Sequence, residues 1–390
     1  MTNPIDRRSA LKRGLFGAGA LSLIPTLGFG ETLQPEVTEN IVHTPLFKEH
    51  MAAVEAKVLA KLNANENPYG PSPRALEALK DAATQGNRYG WRSLFELVDL
   101  LADKEGVQKE NIMMGPGSSD LLEKFGLVMF MNGGNIVSAD PSYMSMMNVA
   151  RSVGATWKGV KLKDDWSHDL DAMEKAIDAD TKLVYICNPN NPTGTITDGK
   201  DLYGFCERVS DKVPVFVDEA YMEFVDGGKT KSMAPLVAKG KNVIVARTFS
   251  KIHGMAGLRV GYAAALPSTL ESIQKITRGG MGISITSIAA ALASFKDKDF
   301  LRASKAKNSE VREFTFTRLQ EMGFDPVPSH TSFMIFPQKE MEGKKFLEEM
   351  ALKGVRVRSF EIYDQTSCRV SMGTKPEMEV FLDALGKVIG

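Results

Sequence analysis

Lys182-Leu-Val-Tyr-Ile-Cys187 runs without a gap into Asn188-Pro-Asn-Asn-Pro-Thr-Gly194. The first six residues form a short apolar run with its charge at the start, which is how a strand buried on both faces reads. The next seven are turn formers, so the strand ends in a rigid, Asn-rich turn. Working outward, Val213-Pro-Val-Phe-Val217 ends in Asp218-Glu-Ala-Tyr221, and Asn242-Val-Ile-Val-Ala246 ends in Arg247-Thr-Phe-Ser-Lys251. Asn111-Ile-Met-Met114, Asn135-Ile-Val-Ser138 and Val260-Gly-Tyr-Ala-Ala264 are further strand candidates, and helical patterns lie between the runs at 94–104, 119–131, 170–177 and 202–209. Alternation of this kind predicts an α/β fold, a mainly parallel sheet flanked by helices on both faces. Ligands of such sheets collect at the carboxyl ends of the strands.

The pattern changes near residue 297. A charged helical stretch leads to shorter strands at 332–336, 355–358 and 368–372 and a last helix from Pro376, which predicts a smaller C-terminal α/β domain. The expected organisation is a leader at 1–30, an N-terminal arm at 31–60, a large domain at 61–296 and a small domain at 297–390, with a hinge near 290–300. The leader reading rests on Arg7-Arg8, Lys12-Arg13 and a charge-free stretch from 14 to 30 that is too short and too glycine-rich for a membrane span. The arginine doublet is similar to a twin-arginine export motif, although Ala10 stands where a Phe is usual and no clean cleavage site follows. This predicts a periplasmic protein exported in the folded state. A cytoplasmic protein with an amphipathic tail is the alternative.

Composition excludes several classes. With Lys plus Arg at 48 and Asp plus Glu at 48, the formal net charge is 0, and no basic surplus exists for nucleic acid. Three cysteines, Cys187, Cys206 and Cys368, form neither a disulfide framework nor a CxxC pair, and no HExxH is present, so no metal is expected.

Taken singly, the strand-end residues are ordinary: an Asn-Pro turn, an acid that could cap a helix, a loop lysine. Taken together, Asn191, Asp218, Tyr221, Lys251 and Arg259 occupy three consecutive strand ends. With Asn63-Ala-Asn-Glu-Asn-Pro68, Asn87-Arg-Tyr89, Gly117-Ser-Ser119, Asp140-Pro-Ser-Tyr143, Gly257-Leu-Arg259 and Arg369-Val-Ser-Met-Gly373, the chain from Leu62 onward resembles the fold-type I pyridoxal-phosphate enzymes of aminotransferase class I and II. Within them it is most similar to the histidinol-phosphate aminotransferases.

The resemblance implies the cofactor pyridoxal 5'-phosphate, held covalently by Lys251, whose amine also moves the substrate's α-proton. Asp218 would keep the ring nitrogen protonated, while Asn191 and Tyr221 would meet the ring's phenolic oxygen and Tyr143 would stack on its face. Ser118 and Ser119 at a helix N-terminus, Arg259, and the hydroxyls of Thr248 and Ser250 would hold the phosphate. Tyr89 matches a tyrosine that reaches the phosphate from a partner subunit, which implies a homodimer. Arg369 matches the arginine that clamps a substrate carboxylate, with Arg358 and Asn67 as further substrate contacts. His253 and Met144, Met146 and Met147 read as packing.

Histidine biosynthesis is cytoplasmic and the leader is not, so the reading from sequence is an exported aminotransferase exchanging the amino group of an amino acid, aromatic or otherwise bulky, with a 2-oxo acid. The alternative on the same scaffold is a decarboxylase or other lyase similar to the threonine-phosphate decarboxylases. A non-catalytic regulator is the third reading, opposed by the presence of Lys251, Asp218 and Arg259 together.

Overall fold

The computed structural model describes residues 57–226, 230–338 and 341–389. The expected leader, and the expected arm up to residue 56, lie outside them. Twelve strands occur among the described residues: β1 Ala60–Lys61, β2 Ile112–Gly115, β3 Asn135–Asp140, β4 Thr156–Lys161, β5 Thr181–Cys187, β6 Val215–Asp218, β7 Val243–Thr248, β8 Gly261–Ala264, β9 Phe333–Pro337, β10 Val355–Arg356, β11 Arg358–Ile362 and β12 Gln365–Ser371.

The central sheet has the order β2-β8-β7-β6-β5-β3-β4. The strands from β4 through β7 are parallel, and β8 is inserted antiparallel to both β2 and β7. The mainly parallel α/β sheet predicted from the sequence is therefore present. Its middle strands are buried on both faces, and successive residues feed opposite cores. Val184, Ile186, Val215, Val217, Val243 and Val245 pack with the helices Trp91–Glu105 and Gly199–Val209. Leu183, Tyr185, Phe216, Ile244 and Ala246 pack with the helices Ser118–Phe130 and Ser145–Ser152. Each fully buried Val, Ile or Phe contributes roughly 1.5–3 kcal/mol. Phe216 sits edge-on to Phe125 with centroids 5.4 Å apart and stacks on Tyr185 at 5.9 Å, so this layer is a rigid aromatic floor.

Strand β4 is absent from the sequence reading. It is an edge strand, mixed in polarity on both faces, with Gly159 inside it and Trp157 tied by its indole N–H to Ser138 Oγ at 2.8 Å. That composition carries no buried-strand signal.

The C-terminal region holds an antiparallel sheet β11-β12-β9 and a separate parallel pair β1-β10. The single strand expected at 355–358 is two strands in different sheets: Val355 and Arg356 pair with Ala60 and Lys61, while Arg358 pairs with Arg369. The expected boundary after residue 60 thus falls inside β1. Ala60 and Leu62 are buried in the same cluster as Phe336, Phe346, Phe381 and Leu385. Near the expected hinge, the helices Ile285–Lys296 and Lys298–Glu321 meet at Asp297, whose carboxylate accepts from the Phe300 amide at 3.3 Å.

Candidate active site

The carboxyl ends of β3, β5, β6 and β7 open into one cavity of about 680 Å³. The parallel register sets Cys187 beside Asp218 and Asp218 beside Ala246, so the turns after three strands face the same space.

One corner is built for an anion. The helix Ser118–Phe130 begins at Gly117, with φ of 91° and no side-chain cap, leaving its first amides available. Two glycines keep this corner open. A Cβ on Gly261 would stand 2.4 Å from the Ser118 nitrogen, and one on Gly117 would stand 2.3 Å from Arg259 Nη2. Arg259 donates to Ser250 Oγ at 3.3 Å and to the Ala256 carbonyl at 3.0 Å, and Thr248 Oγ1 accepts from the Ser250 amide. Ser119 Oγ lies 3.4 Å from the Tyr143 hydroxyl. An uncapped helix end, a guanidinium and hydroxyls together suit a phosphate. The residues present therefore fit the phosphate end of pyridoxal phosphate.

The floor is Asp218, nearly inaccessible, with the Tyr185 hydroxyl donating to Oδ2 at 3.0 Å and the Ala220 amide to Oδ1 at 3.1 Å. Burial raises its pKa to about 6 despite those donors and the nearby Lys251. A carboxylate held in this way favours a protonated ring nitrogen beside it. Tyr185 is a functional residue the sequence reading missed, because a tyrosine inside an apolar strand reads as core. Its signal was the buried hydroxyl's need for a partner.

Lys251 follows β7 and donates from Nζ to the Asn65 carbonyl at 3.1 Å, 5.4 Å over the Tyr221 ring. Burial, and next Arg369, pull its pKa down to about 8, with Arg259 adding to the shift and Asp218 and Glu66 opposing it. Asn65, in a left-handed conformation at φ 52°, joins three parts of the site. Its side-chain N–H donates to the Tyr221 oxygen at 3.0 Å, its carbonyl holds Lys251, and its amide donates to Ser371 Oγ at 2.8 Å.

The other end of the cavity is lined from β11 and β12. Arg369 is buried between the rings of Phe333 and Phe360, at 5.3 and 5.2 Å, and donates from Nη1 to Asn191 Oδ1 at 2.6 Å. Arg358 is exposed and donates from Nε to the Asn63 carbonyl at 3.0 Å, an oxygen that Arg369 Nη2 also approaches at 3.4 Å.

Lys251, Asp218, Tyr221, Ser118, Ser119, Tyr143, Asn191, Thr248, Ser250, Arg259, Arg358 and Arg369 thus all line the cavity. Two expected residues do not. Asn67 turns away: its amide donates to the Ile252 carbonyl at 2.9 Å and its oxygen accepts from the Tyr69 amide at 3.0 Å. Asn63 and Asn65 of the same motif line the cavity, Asn65 in a left-handed conformation. Tyr89 is 74% exposed and borders a separate groove with Trp91 and Ile285. Met146 and Met147 are core, while Met144 lines the cavity wall. His253 packs on Phe249 and bonds Ser294 Oγ at 2.8 Å.

Residues 57–385 match the family described as aminotransferase class I and II. The chain belongs to that family. It is 35% identical over 336 residues to a histidinol-phosphate aminotransferase of Moorella thermoacetica, covering 85% of this chain and 86% of that one. It is 36% identical over 332 residues to another from Bacillus licheniformis, covering 85% and 91%. The solved histidinol-phosphate aminotransferase of Sinorhizobium meliloti in complex with pyridoxal-5'-phosphate superposes with a TM-score of 0.80 at 27% identity, over 95% of this chain and 98% of that one. The chain is accordingly a pyridoxal-phosphate-dependent aminotransferase.

In an aminotransferase whose lysine is held in this way, the cofactor-free protein should show Lys251 acylated with a midpoint near pH 8, where ordinary lysines titrate near 10.5. Arg369→Ala removes a repelling cation and should move that midpoint upward. Acetic anhydride labelling across pH, read by peptide mass spectrometry, checks both; a wild-type midpoint above 10 would refute the burial argument.

Proposed function

We propose that this aminotransferase exchanges the amino group of a bulky α-amino acid with a 2-oxo acid in two half-reactions, acts as a homodimer, and works outside the cytoplasm. The observation that carries the substrate reading is Arg369, a buried guanidinium facing the same cavity as Lys251, with its Nε lacking a hydrogen-bond partner. A planar, permanently charged fork in a water-poor pocket suits a carboxylate, and the apolar walls Phe360 and Met144 suit an aromatic or other bulky side chain. Arg358, exposed at the mouth, gives a second anion partner for donors with an acidic end, such as the histidinol phosphate for which the relatives are named.

When bound, the cofactor supplies an aldehyde that accepts the amino group and a ring that withdraws electrons from the substrate's α-carbon. Lys251 Nζ, depressed to about 8, is partly unprotonated near neutral pH and can take the α-proton and return it. Arg369 would orient the donor by its carboxylate, Asp218 would hold the proton on the ring nitrogen, and Tyr221 and Asn191 would present polar atoms to the ring's oxygen. Arg259 and the amides at Ser118 and Ser119 would hold the phosphate end, so that Lys251 moves the proton between atoms already in position. The 2-oxo acid product leaves the same pocket that the acceptor acid then enters, which makes the kinetics ping-pong.

The dimer is supported by Tyr89, Trp91 and Phe95, an exposed aromatic row with centroids 6.0 Å apart beside the second groove. Export is supported by Arg7-Arg8 and the charge-free stretch 14–30.

Titration of cofactor-loaded protein with single amino acids should convert the absorption band of the lysine-bound cofactor to that of its amine form, and a 2-oxo acid should reverse it. Carbon dioxide release with no amine form would instead support the lyase alternative, and Lys251→Ala should abolish conversion. Sedimentation should give twice the chain mass, and Tyr89→Ala should weaken cofactor retention about tenfold, as expected for one lost charge-assisted hydrogen bond; a monomer that retains cofactor normally would rule out the shared site. Export is checked by cell fractionation: full-length protein should appear in the periplasm, and Arg7→Lys with Arg8→Lys should leave it in the cytoplasm.

A further inference from the structure

Strands β11 and β12 form a hairpin with Arg358 opposite Arg369 at one end and a two-residue turn, Tyr363-Asp364, at the other. Both turn residues have positive φ, 50° and 62°, the conformation that hairpins of this length ordinarily give to Asn and Gly. A tyrosine is disfavoured there, so the backbone alone does not explain its presence.

The ring is bound to the other body of the protein. The Tyr363 hydroxyl donates to the Asp140 carbonyl at 2.6 Å and accepts from the Leu162 amide at 2.9 Å, bridging the ends of β3 and β4. Its face stacks on Trp166 at 5.9 Å and 19°, and Lys161 Nζ lies 5.3 Å from its centroid. Asp140 leads directly into Pro141-Ser142-Tyr143, the wall of the active-site cavity. One phenol therefore joins the cofactor-holding sheet to the hairpin that carries both substrate arginines and Phe360.

We propose that Tyr363 is a positioning residue for substrate, its hydroxyl latching the β11–β12 hairpin to the ends of β3 and β4 so that Arg369 meets the donor carboxylate at a fixed reach. The inference rests on the reading of Arg369 as the carboxylate clamp. Without the latch the hairpin keeps its own pairing but is tied to the large sheet by fewer contacts, and the arginine must be ordered on each binding event. That cost falls on ground state and transition state alike, so it raises KM and spares kcat.

The test uses cofactor-loaded wild type, Tyr363→Phe and Tyr363→Asn. Tyr363→Phe keeps the ring and loses both hydrogen bonds; Tyr363→Asn suits the turn better yet loses the whole latch. Both should raise KM for a donor amino acid about tenfold, with kcat within about twofold and an unchanged cofactor absorption spectrum. Amide hydrogen exchange, which needs no donor, should quicken at least tenfold in the 358–371 hairpin of Tyr363→Phe and stay unchanged in β5 to β7. Unchanged exchange in the hairpin overturns the latch whatever the kinetics, and faster exchange with an unchanged KM overturns its role in positioning. If wild type exchanges amino groups but Arg369→Lys leaves KM unaltered, the clamp reading fails, while the exchange result still decides whether the latch exists.

Discussion

The constraint on which the rest of the structure depends is a carboxylate buried at the end of β6. Desolvating Asp218 is unfavourable unless donors reach it, and the two that do are neutral, the Tyr185 hydroxyl and the Ala220 amide. Tyr185 can offer its hydroxyl because its ring is fixed on Phe216, which is fixed in turn on Phe125. The aromatic floor is thus both core packing and the support of the site. The next residue shows the opposite solution: Glu219, fully buried, lies 2.9 Å from Arg247 Nη2 and accepts from the Met233 amide at 2.7 Å. Adjacent carboxylates on opposite faces of one strand end are given different partners, and the one left without a cation in contact is the one that faces the cavity.

Burial acts on the facing lysine in the same sense, since both groups are pushed toward neutrality, Asp218 upward to about 6 and Lys251 downward to about 8. A polypeptide alone gains nothing from burying two ionisable groups where burial disfavours the charged form of each. The arrangement becomes favourable when a ligand brings a ring nitrogen to the acid and an aldehyde to the amine, and the glycines at 117 and 261 leave the phosphate's place open beside them. The site is pre-organised for a particular cofactor at the expense of local stability, which is where such conflicts between local preference and fold are found.

Much of this was legible in the sequence, and the reasons for the exceptions are physical. Buried parallel strands are nearly continuous apolar runs, so β5, β6 and β7 declare themselves, and whatever follows each of them must lie at the carboxyl edge. Asp218, Lys251 and Asn191 could be read from that rule together with the family resemblance. The edge strand β4 and the two-residue strand β1 are too exposed or too short to leave a periodic signal, and the break between β10 and β11 inside 355–358 has no mark in the sequence. Asn67 was expected at the cavity and Asn63 and Asn65 line it instead; a non-glycine residue in a left-handed conformation, as Asn65 is, has no reliable sequence mark. Tyr89 lies on a different surface from the cavity of its own chain, and the role that the resemblance implies for it would need a second copy of the chain.

Strands from two bodies divide the labour. The central sheet holds the acid, the amine and the anion corner, all within a register fixed by backbone pairing. The arginines come from a separate antiparallel sheet, whose contacts with the first include Asn191, the Tyr363 hydroxyl and the packing of Phe333 on Tyr221. On the proposed reading, chemistry at the α-carbon depends on distances within one sheet, whereas recognition of the donor depends on distances between two. Substitutions on the sheet would change whether the reaction proceeds, and substitutions along the hairpin would change which donor reaches it. A fold partitioned in this way can change substrate while the cofactor residues stay as they are, so similarity to histidinol-phosphate aminotransferases fixes the reaction more firmly than it fixes the donor.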